Sequence, residues 1–183
     1  MRKRLLISVI VISVLTVLLP VSAYAYDGSD VICNIDSFII GVKSQGAMYV
    51  ETALGDFTAD ALKEAGNADI GIVNGGDLLH VLAAGPVTYD TVYDVFTENK
   101  PVAVATVTAE DVWEMLEHGV ENVVIGEDEK TDTEASAFEG FPQLSGIQTQ
   151  YDTTAPKGSR VMYLMIGGEP YNRHDRVHTF RLC

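Results

Sequence analysis

The chain has 183 residues and carries 26 acidic residues against 12 basic ones, so its formal net charge is −14 at pH 7. This length suits one domain with a core that needs no metal or disulfide to hold it. Such a negative charge repels polyanions and anionic lipid, and it excludes binding to nucleic acid or to a membrane surface through a basic patch.

The first 25 residues have the order of a secretory signal peptide. Arg2, Lys3 and Arg4 precede an apolar run that Pro20 breaks, and Ala23-Tyr24-Ala25 supplies small residues for cleavage. A retained membrane anchor is the alternative, but the run is short for a span. We therefore predict a secreted protein, extracellular or periplasmic, with no membrane attachment after cleavage. Cleavage removes three of the 12 basic residues and none of the 26 acidic ones, which makes the mature net charge −17.

Residues 26–50 are predicted to be a lead-in segment or a hairpin, and residues 51–183 the main domain. Cys33 and Cys183 lie near opposite ends of the mature chain, in a compartment that permits disulfides. A bridge between them requires that their Cα atoms lie within about 7 Å. A free Cys183 at a frayed end is the alternative, and the sequence leaves both open.

The stretch from Glu51 to Gly76 is predicted to form a helix, a strand and a glycine turn. The helix closes at Gly66, and the strand Ala68–Val73 ends at Asn74-Gly75-Gly76, where we expect at least one glycine with positive φ. In an α/β fold the carboxyl end of such a strand is a common ligand site, although a tight turn without a ligand is the plainer interpretation. The residues predicted on the apolar helix face are Ala53, Leu54, Phe57, Ala61, Leu62 and Ala65.

The later chain is predicted to alternate between helices and strands. A short helix is expected over 77–83, and Thr88 is expected to cap another that ends near Phe96. After a strand at 102–107, Thr108 opens a helix whose Trp113 packs in the core. Three strands follow at 144–151, 160–166 and 176–182. The fold class is therefore α/β (α+β), a mixed β-sheet covered by helices, with its strand order open.

No catalytic or metal-binding set is recognisable from the residue pattern. His174 and His178 would lie about 13 Å apart on a strand, which is too far to share one ion. The acidic segment 121–139 lacks the spacing of a calcium loop, and Ser145 has no identifiable partner base. We therefore predict no catalytic residue, no metal and no cofactor.

Several motifs resemble the C-terminal domain of the 5'-nucleotidase family over about residues 51 to 180. The family patterns "LGxxxxDAL", "aDiaivNGGgiR", "GpiTyxdvyxvxPFxN" and "fPqvSG…yD…GsRV" all recur in order. The matching residues are Leu54-Gly55, Asp60-Ala61-Leu62, Ala68-Asp69-Ile70, Val73-Asn74-Gly75-Gly76, Gly85-Pro86-Val87-Thr88-Tyr89, Val92, Val95, Asn99, Phe141-Pro142-Gln143-Leu144-Ser145-Gly146, Tyr151-Asp152 and Gly158-Ser159-Arg160-Val161.

The resemblance implies a nucleotide-binding domain that stands alone and is truncated. In the family this domain holds the base between aromatic rings and the phosphate with arginines, while a separate metallophosphatase domain carries the metals. No such domain fits between residues 26 and 50. The resemblance places substrate binding at Asn74, Gly75, Gly76, Phe96 and Asn99.

Three departures weaken the inherited phosphate site. Leu79 stands where the family has an arginine. The segment from Phe96 to Asn99 is one residue short of "PFxN" and has no proline, so the aromatic of that motif is lost or shifted. The closing "NxFlxxGGDGY" motif is absent. Asp77 and Glu98 would in addition repel a phosphate.

Three functions follow as hypotheses. The first is an exported module without catalytic activity of its own, which binds a nucleoside, a nucleotide or a partner chain. The second is a part of a nucleotide-hydrolysing system whose metallophosphatase domain is on another chain. The third is an acidic extracellular structural or adhesion module.

Overall fold

The computed structural model describes residues 27–96, 98, 100–126 and 130–183. The predicted signal peptide and Asn99 lie outside them. The helices are α1 (Ala53–Ala65), α2 (Tyr89–Val95) and α3 (Ala109–Val120), with 3-10 turns at Lys43–Gln45 and Gly75–Asp77. The strands are β1 (Val31–Ile35), β2 (Gly71–Asn74), β3 (Gly85–Thr88), β4 (Ala105–Thr108), β5 (Pro142–Ser145), β6 (Ile147–Tyr151), β7 (Val161–Ile166), β8 (Glu169–Tyr171) and β9 (Thr179–Leu182).

The strands form several small antiparallel sheets. β1 pairs with β3, β2 with β5 and β4 with β9, while β6, β7 and β8 form one three-stranded sheet. A parallel bridge between Ile70 and Leu182 brings β9 alongside β2. The predicted α/β class is confirmed, and β1 shows that the segment 26–50 supplies a strand to the fold.

Helix α1 closes at Gly66 as predicted but buries a different face. Leu54, Gly55, Thr58 and Ala59 are buried, whereas Phe57 is 50% exposed. Ala53, Ala61 and Ala65 are not buried either, so the predicted apolar face was largely wrong. The reason is close packing against β5 and β2. A Cβ at Gly55 would lie 1.9 Å from Oε1 of Gln143, and one at Gly71 would lie 2.0 Å from the Ala59 carbonyl oxygen. The helix therefore packs closely against the strands on the side where its residues are small, and that side is the buried face.

Gln143 ties β5 to the loop that precedes α1. Its side chain is fully buried, and its Nε2 donates to the carbonyl oxygens of Ala47 at 2.9 Å and Val50 at 2.7 Å. Its Oε1 accepts from Thr52 N at 2.8 Å. All of these partners are about ninety residues away in sequence, so nothing in the local pattern indicated the role of this glutamine.

The helix predicted over residues 77–83 does not form. Leu78 and Leu82 make isolated antiparallel bridges with Phe96 and Ile39, and both leucines are buried. β3 then begins at Gly85, where the helix was expected to end. Because a helical turn fixes several residues for one hydrogen bond, so short a segment is more stable when it bridges to neighbouring chain.

Helices α2 and α3 begin as predicted. The Thr88 hydroxyl accepts from Thr91 N at 3.2 Å, and the Thr108 hydroxyl accepts from Asp111 N at 3.1 Å. Trp113 is 8% exposed and lies in a core cluster between α3 and the β6–β7–β8 sheet, as predicted. On the same helix, Val112, Leu116 and Val120 are also buried.

The strand predicted over residues 144–151 is divided at Gly146. This glycine has φ of +82°, and a Cβ there would lie 2.2 Å from the Asp69 carbonyl oxygen. The division lets β5 pair with β2 while β6 pairs with β7.

Both cysteines are free thiols. Cys33 is exposed on β1, while Cys183 is buried beside Ile70. The two cysteines form no bridge, so a free Cys183 is the alternative observed. This residue is buried, however, and the fraying expected at this end is not seen. Within the described ranges, no helix has the length and apolar character needed to cross a membrane.

Candidate functional site

A groove of about 710 Å³ lies between α2, β2 and the segment 100–103. Most of its surface is apolar, with polar groups concentrated at one rim. Such a combination is common in small-molecule sites. The lining residues include Ile72, Asn74, Asp77, Tyr89, Val92, Tyr93, Phe96, Glu98, Lys100, Val102 and Cys183.

Two of the three aromatic side chains in this lining, Tyr93 and Phe96, give the groove flat faces. Val95 is 2% exposed and anchors α2 in the first core cluster, so that Tyr93 projects outward with 59% of its surface exposed. Phe96 ends the helix, donates its N–H to the Tyr93 carbonyl oxygen at 3.2 Å and bridges to Leu78. Both rings can therefore contact a planar ligand.

The rim of the groove holds one cation between two carboxylates. Lys100 Nζ lies 3.0 Å from Asp77 Oδ1 and 3.8 Å from Glu98 Oε2. The hydrogen bond with Asp77 raises the pKa of Lys100, because it stabilises the charged ammonium. An anionic group entering here would have to compete with both carboxylates.

The structure brings two of the predicted site residues to the groove. Asn74 is exposed and lines it, as does Phe96. Gly75 and Gly76 are buried and do not line it, and their N–H groups donate to the carbonyl oxygens of Phe141 at 2.8 Å and Glu139 at 2.9 Å. Asn99 lies outside the described residues.

The expectation of positive φ at Gly75 or Gly76 was wrong. Neither has positive φ, and both belong to a 3-10 turn. They are required instead by close packing, since a Cβ at Gly75 would lie 1.7 Å from the Ala47 carbonyl oxygen. At Gly76 the Cβ would lie 2.5 Å from Cβ of Glu139.

None of the four arginines near the end of the chain lines the groove. Arg160 is 8% exposed and Arg173 lies 3.8 Å from Glu117. Arg176 pairs with Glu110, and Arg181 donates to the Gly66 carbonyl oxygen at 3.0 Å.

Sequence reasoning missed Lys100, Val102 and Cys183 as lining residues. Cys183 reaches the groove because its N–H donates to the Ile70 carbonyl oxygen at 2.9 Å, a contact between distant parts of the chain. No local motif signals such a contact. Within the described ranges, no three histidine, cysteine or acidic side chains are grouped to hold a metal ion.

The family model for the 5'-nucleotidase C-terminal domain matches residues 31–180, from β1 into β9. The chain belongs to this family. One relative is the trifunctional nucleotide phosphoesterase protein YfkN of Bacillus subtilis, which is 32% identical over 120 residues. That alignment covers 63% of this chain and 8% of YfkN.

Two solved structures have the same fold as this 5'-nucleotidase C-terminal domain. The 5'-nucleotidase precursor of Thermus thermophilus aligns with a TM-score of 0.64 and 23% identity, over 84% of this chain and 29% of that one. The NAD nucleotidase of Haemophilus influenzae aligns with a TM-score of 0.63 and 15% identity, over 85% and 28% respectively. The chain thus spans less than a third of each protein.

Proposed function

We propose that the chain is an exported 5'-nucleotidase C-terminal domain that binds a nucleoside in the groove beside α2, without catalytic activity of its own. The observation that carries this proposal is the pairing of two aromatic faces, Tyr93 and Phe96, with a rim whose lysine is already bound by carboxylates. The named relatives act on nucleotides, which supports a nucleoside as the ligand class.

The aromatic faces supply the attraction for a base. Stacking of a base on an aromatic side chain contributes about 1–3 kcal/mol. A Kd of 1 mM corresponds to about 4 kcal/mol, so stacking alone gives millimolar affinity at best. The amide of Asn74, exposed in the same groove, can donate to and accept from the edge of a base.

A phosphate group would add little to the binding free energy in this groove. Lys100 is already shared by Asp77 and Glu98, and Leu79 stands where the family has an arginine. The net charge of −14 further disfavours an anion. We therefore expect the phosphate of a nucleotide to contribute nothing to binding or to oppose it.

The second candidate is a part of a nucleotide-hydrolysing system, in which a separate metallophosphatase chain supplies the metals and this domain holds the substrate. It is favoured by the length of the relatives, which are nucleotidases or phosphoesterases more than three times as long as the matched region. In this case the groove would bind a nucleotide, and AMP would bind more tightly than adenosine.

Titration of the full chain with adenosine and with AMP, followed by NMR at low salt, separates the two candidates. We expect millimolar binding in which adenosine binds at least as tightly as AMP. Tyr93→Ala should remove the binding, whereas Tyr163→Ala, another exposed tyrosine outside this groove, should leave it unchanged. AMP binding more than tenfold tighter than adenosine would favour the second candidate, and adenosine binding that survives Tyr93→Ala would contradict the proposed site.

A further inference from the structure

A second groove, of about 500 Å³, runs along strand β6 on another part of the molecule. All five β6 residues, 147–151, line it. Its opposite wall is formed by α3 and by the start of β5. Leu116, Val120, Phe141 and Pro142 form this wall and are themselves buried, whereas Leu144, Ile147 and Tyr163 of the lining keep exposed surface.

The groove follows the edge of β6 and not one of its faces. Successive side chains of a strand point to opposite faces of the sheet, so a cavity that contacts five consecutive residues must pass the edge of the strand. Tyr163, the β7 partner of Gln150, also lines it. β6 has β7 as its one strand neighbour among the described elements.

This edge carries unpaired backbone groups. Apart from the β6–β7 ladder, residues 147–151 make no backbone–backbone hydrogen bond with any other described residue. In an antiparallel pair every second residue turns its N–H and C=O away from the partner strand. Such an edge is a template for the addition of another strand.

The origin of the free edge is the turn at Gly146. Its φ of +82° separates β5 from β6, so β5 enters the β2 pair while β6 remains at the margin of its own sheet. The wall opposite the edge belongs to the core, because Leu116, Val120 and Phe141 are each at most 2% exposed.

One end of the groove is acidic and has no counter-ion among the described residues. Burial and the neighbouring Asp56 raise the pKa of Glu51, and burial, with a smaller contribution from Glu51, raises the pKa of Tyr151. Oδ1 of Asp56 is buried and has no hydrogen-bond partner within the described part of the chain. Among the same residues, no lysine, arginine or histidine forms an ion pair with Glu51 or Asp56.

We propose that this groove binds an extended peptide segment of a partner protein, which adds as a strand to the free edge of β6 and places a lysine or arginine at Glu51. Strand addition obtains its affinity from main-chain hydrogen bonds and its specificity from alternate side chains. Here the alternate side chains would contact Leu144, Ile147 and Tyr163, lining residues that keep exposed apolar surface. A segment of about five residues matches β6, at roughly 3.3 Å per residue. The carboxylate excludes a phosphate-bearing polymer from the same position.

A labelled peptide tests this inference on the full chain. The probe is the end-blocked heptapeptide Val-Thr-Val-Thr-Val-Thr-Lys with a fluorescein label, and the measurement is fluorescence anisotropy. We expect saturable binding below 1 mM, and binding at least about tenfold weaker when glutamate replaces lysine in the peptide. Two further peptides are N-methylated on alternating amides, one peptide for each alternating set. One should bind at least about tenfold more weakly and the other should not, because alternate N–H groups face β6.

Variants of the chain locate the site. Glu51→Gln should weaken binding of the lysine peptide at least about fivefold, because it removes the charge that faces the lysine. The matched control is Glu64→Gln, an equal change of charge at an exposed position of α1 that does not line the groove. Tyr93→Ala tests the other groove and should leave peptide binding unchanged.

Four results would each overturn the inference. They are no saturable binding up to 1 mM, equal binding of both N-methylated peptides and the parent peptide, unchanged binding after Glu51→Gln, or a dimer of this chain that the peptide cannot dissociate. The last result would identify a second copy as the occupant of the edge.

Discussion

Gly75 lies in a 3-10 turn without positive φ, yet it has no space for a side chain. The Ala47 carbonyl oxygen would be 1.7 Å from its Cβ, and that oxygen also accepts from Gln143 Nε2 at 2.9 Å. A substitution must therefore displace backbone that is held by a buried hydrogen bond. The same residue type serves a different need at Gly158, where φ is +77° and the surrounding space is open.

These two glycines give a matched prediction. Gly75→Ala should lower the free energy of unfolding by at least about 2 kcal/mol, because overpacking a rigid site forces backbone shifts. Gly158→Ala should lower it by about 1 kcal/mol, the usual cost of a left-handed conformation. Urea denaturation of both variants and the parent measures the difference. The packing argument is wrong if Gly75→Ala unfolds at the same urea concentration as the parent.

Glu51 gives a prediction about pH. Its pKa in the folded chain is raised above 4.5 by burial and by Asp56, so the folded chain binds its proton more tightly than the unfolded chain does. Ionisation of Glu51 therefore costs stability as the pH rises from 4.5 through the raised folded pKa. Tyr151, whose own pKa is raised, lies beside it and supplies no positive charge.

Glu51→Gln should accordingly be as stable as the parent in acid and more stable at neutral pH. We expect the gain to stay below about 0.5 kcal/mol, since the carboxyl is partly exposed and screened by solvent. Urea unfolding of both proteins at pH 4, 5, 6 and 7 follows the difference between them. The burial argument is contradicted if the gain in unfolding free energy does not grow with pH, or if Glu64→Gln, a variant at an exposed position, shows the same gain.

At the scale of elements, the carboxyl end of α3 depends on two buried charged residues. Glu117 is 5% exposed and accepts from Arg160 N at 2.9 Å and from Val161 N at 3.1 Å. The Arg160 guanidinium donates from Nη1 to the carbonyl oxygens of Val120 at 2.7 Å and Val123 at 2.8 Å. The helix end is thereby bonded to the start of β7.

We expect Arg160→Met to lower the free energy of unfolding by about 3 kcal/mol. Methionine preserves much of the side-chain volume but leaves the Val123 carbonyl oxygen without a donor, and leaves that of Val120 with the Val123 N–H at 3.2 Å alone among the described donors. Arg176→Met is the matched control, because Arg176 pairs with Glu110 at the surface with 76% of its side chain exposed. Exposed pairs contribute about 0–1 kcal/mol. Denaturant unfolding should separate the two variants, and equal stabilities would contradict the buried role of Arg160.

Local signals in the sequence predicted the elements that depend on local contacts. Thr88 and Thr108 cap the helices that were expected after them, and α1 closes at Gly66 as predicted. The extended segment 77–83 and the division at Gly146 were missed, since both depend on chain that is distant in sequence. The buried face of α1 was missed for a related reason, because Gln143 packs against Gly55.

The residues of the candidate site likewise include some that local motifs predict and some that only distant contacts explain. Asn74 and Phe96 could be found because they belong to recognisable motifs, and both line the groove. Lys100 and Cys183 could not be predicted as lining residues, because contacts between segments that are distant in sequence bring them to the groove. Gly75 and Gly76 are recognisable too, but their N–H groups are bonded within the chain and do not face the groove.

At the scale of the whole molecule, acidic side chains bind several of the cations. Lys100, Arg173 and Arg176 each lie beside at least one carboxylate. Because these cations are already paired, they do little to offset the repulsion between the net charge of −14 and an anionic ligand. Weakly bound nucleosides and basic peptides fit this field better than phosphorylated ligands do.

The mature chain, from Tyr26 onward, is predicted not to hydrolyse nucleotides. We expect no phosphate release from AMP and no hydrolysis of UDP-glucose with added Mn²⁺, Co²⁺ or Zn²⁺. Metal-assisted hydrolysis needs carboxylates and imidazoles that converge on the ion, and the described residues contain no group of three such side chains. Phosphate release measured before and after repurification tests this. Metal-dependent turnover that persists after repurification and disappears with a chelator would contradict the prediction.

The pairing of β2 with β5 also determines when this protein can fold. β2 meets a strand that follows it by about 70 residues, so at a synthesis rate of about 5–20 residues per second it waits roughly 4–14 s for its partner. β4 likewise waits for β9. During this interval the nascent chain has no complete core, because contacts between distant segments form late. Such a delay would keep the chain in an unfolded state that a protein-conducting channel can accept.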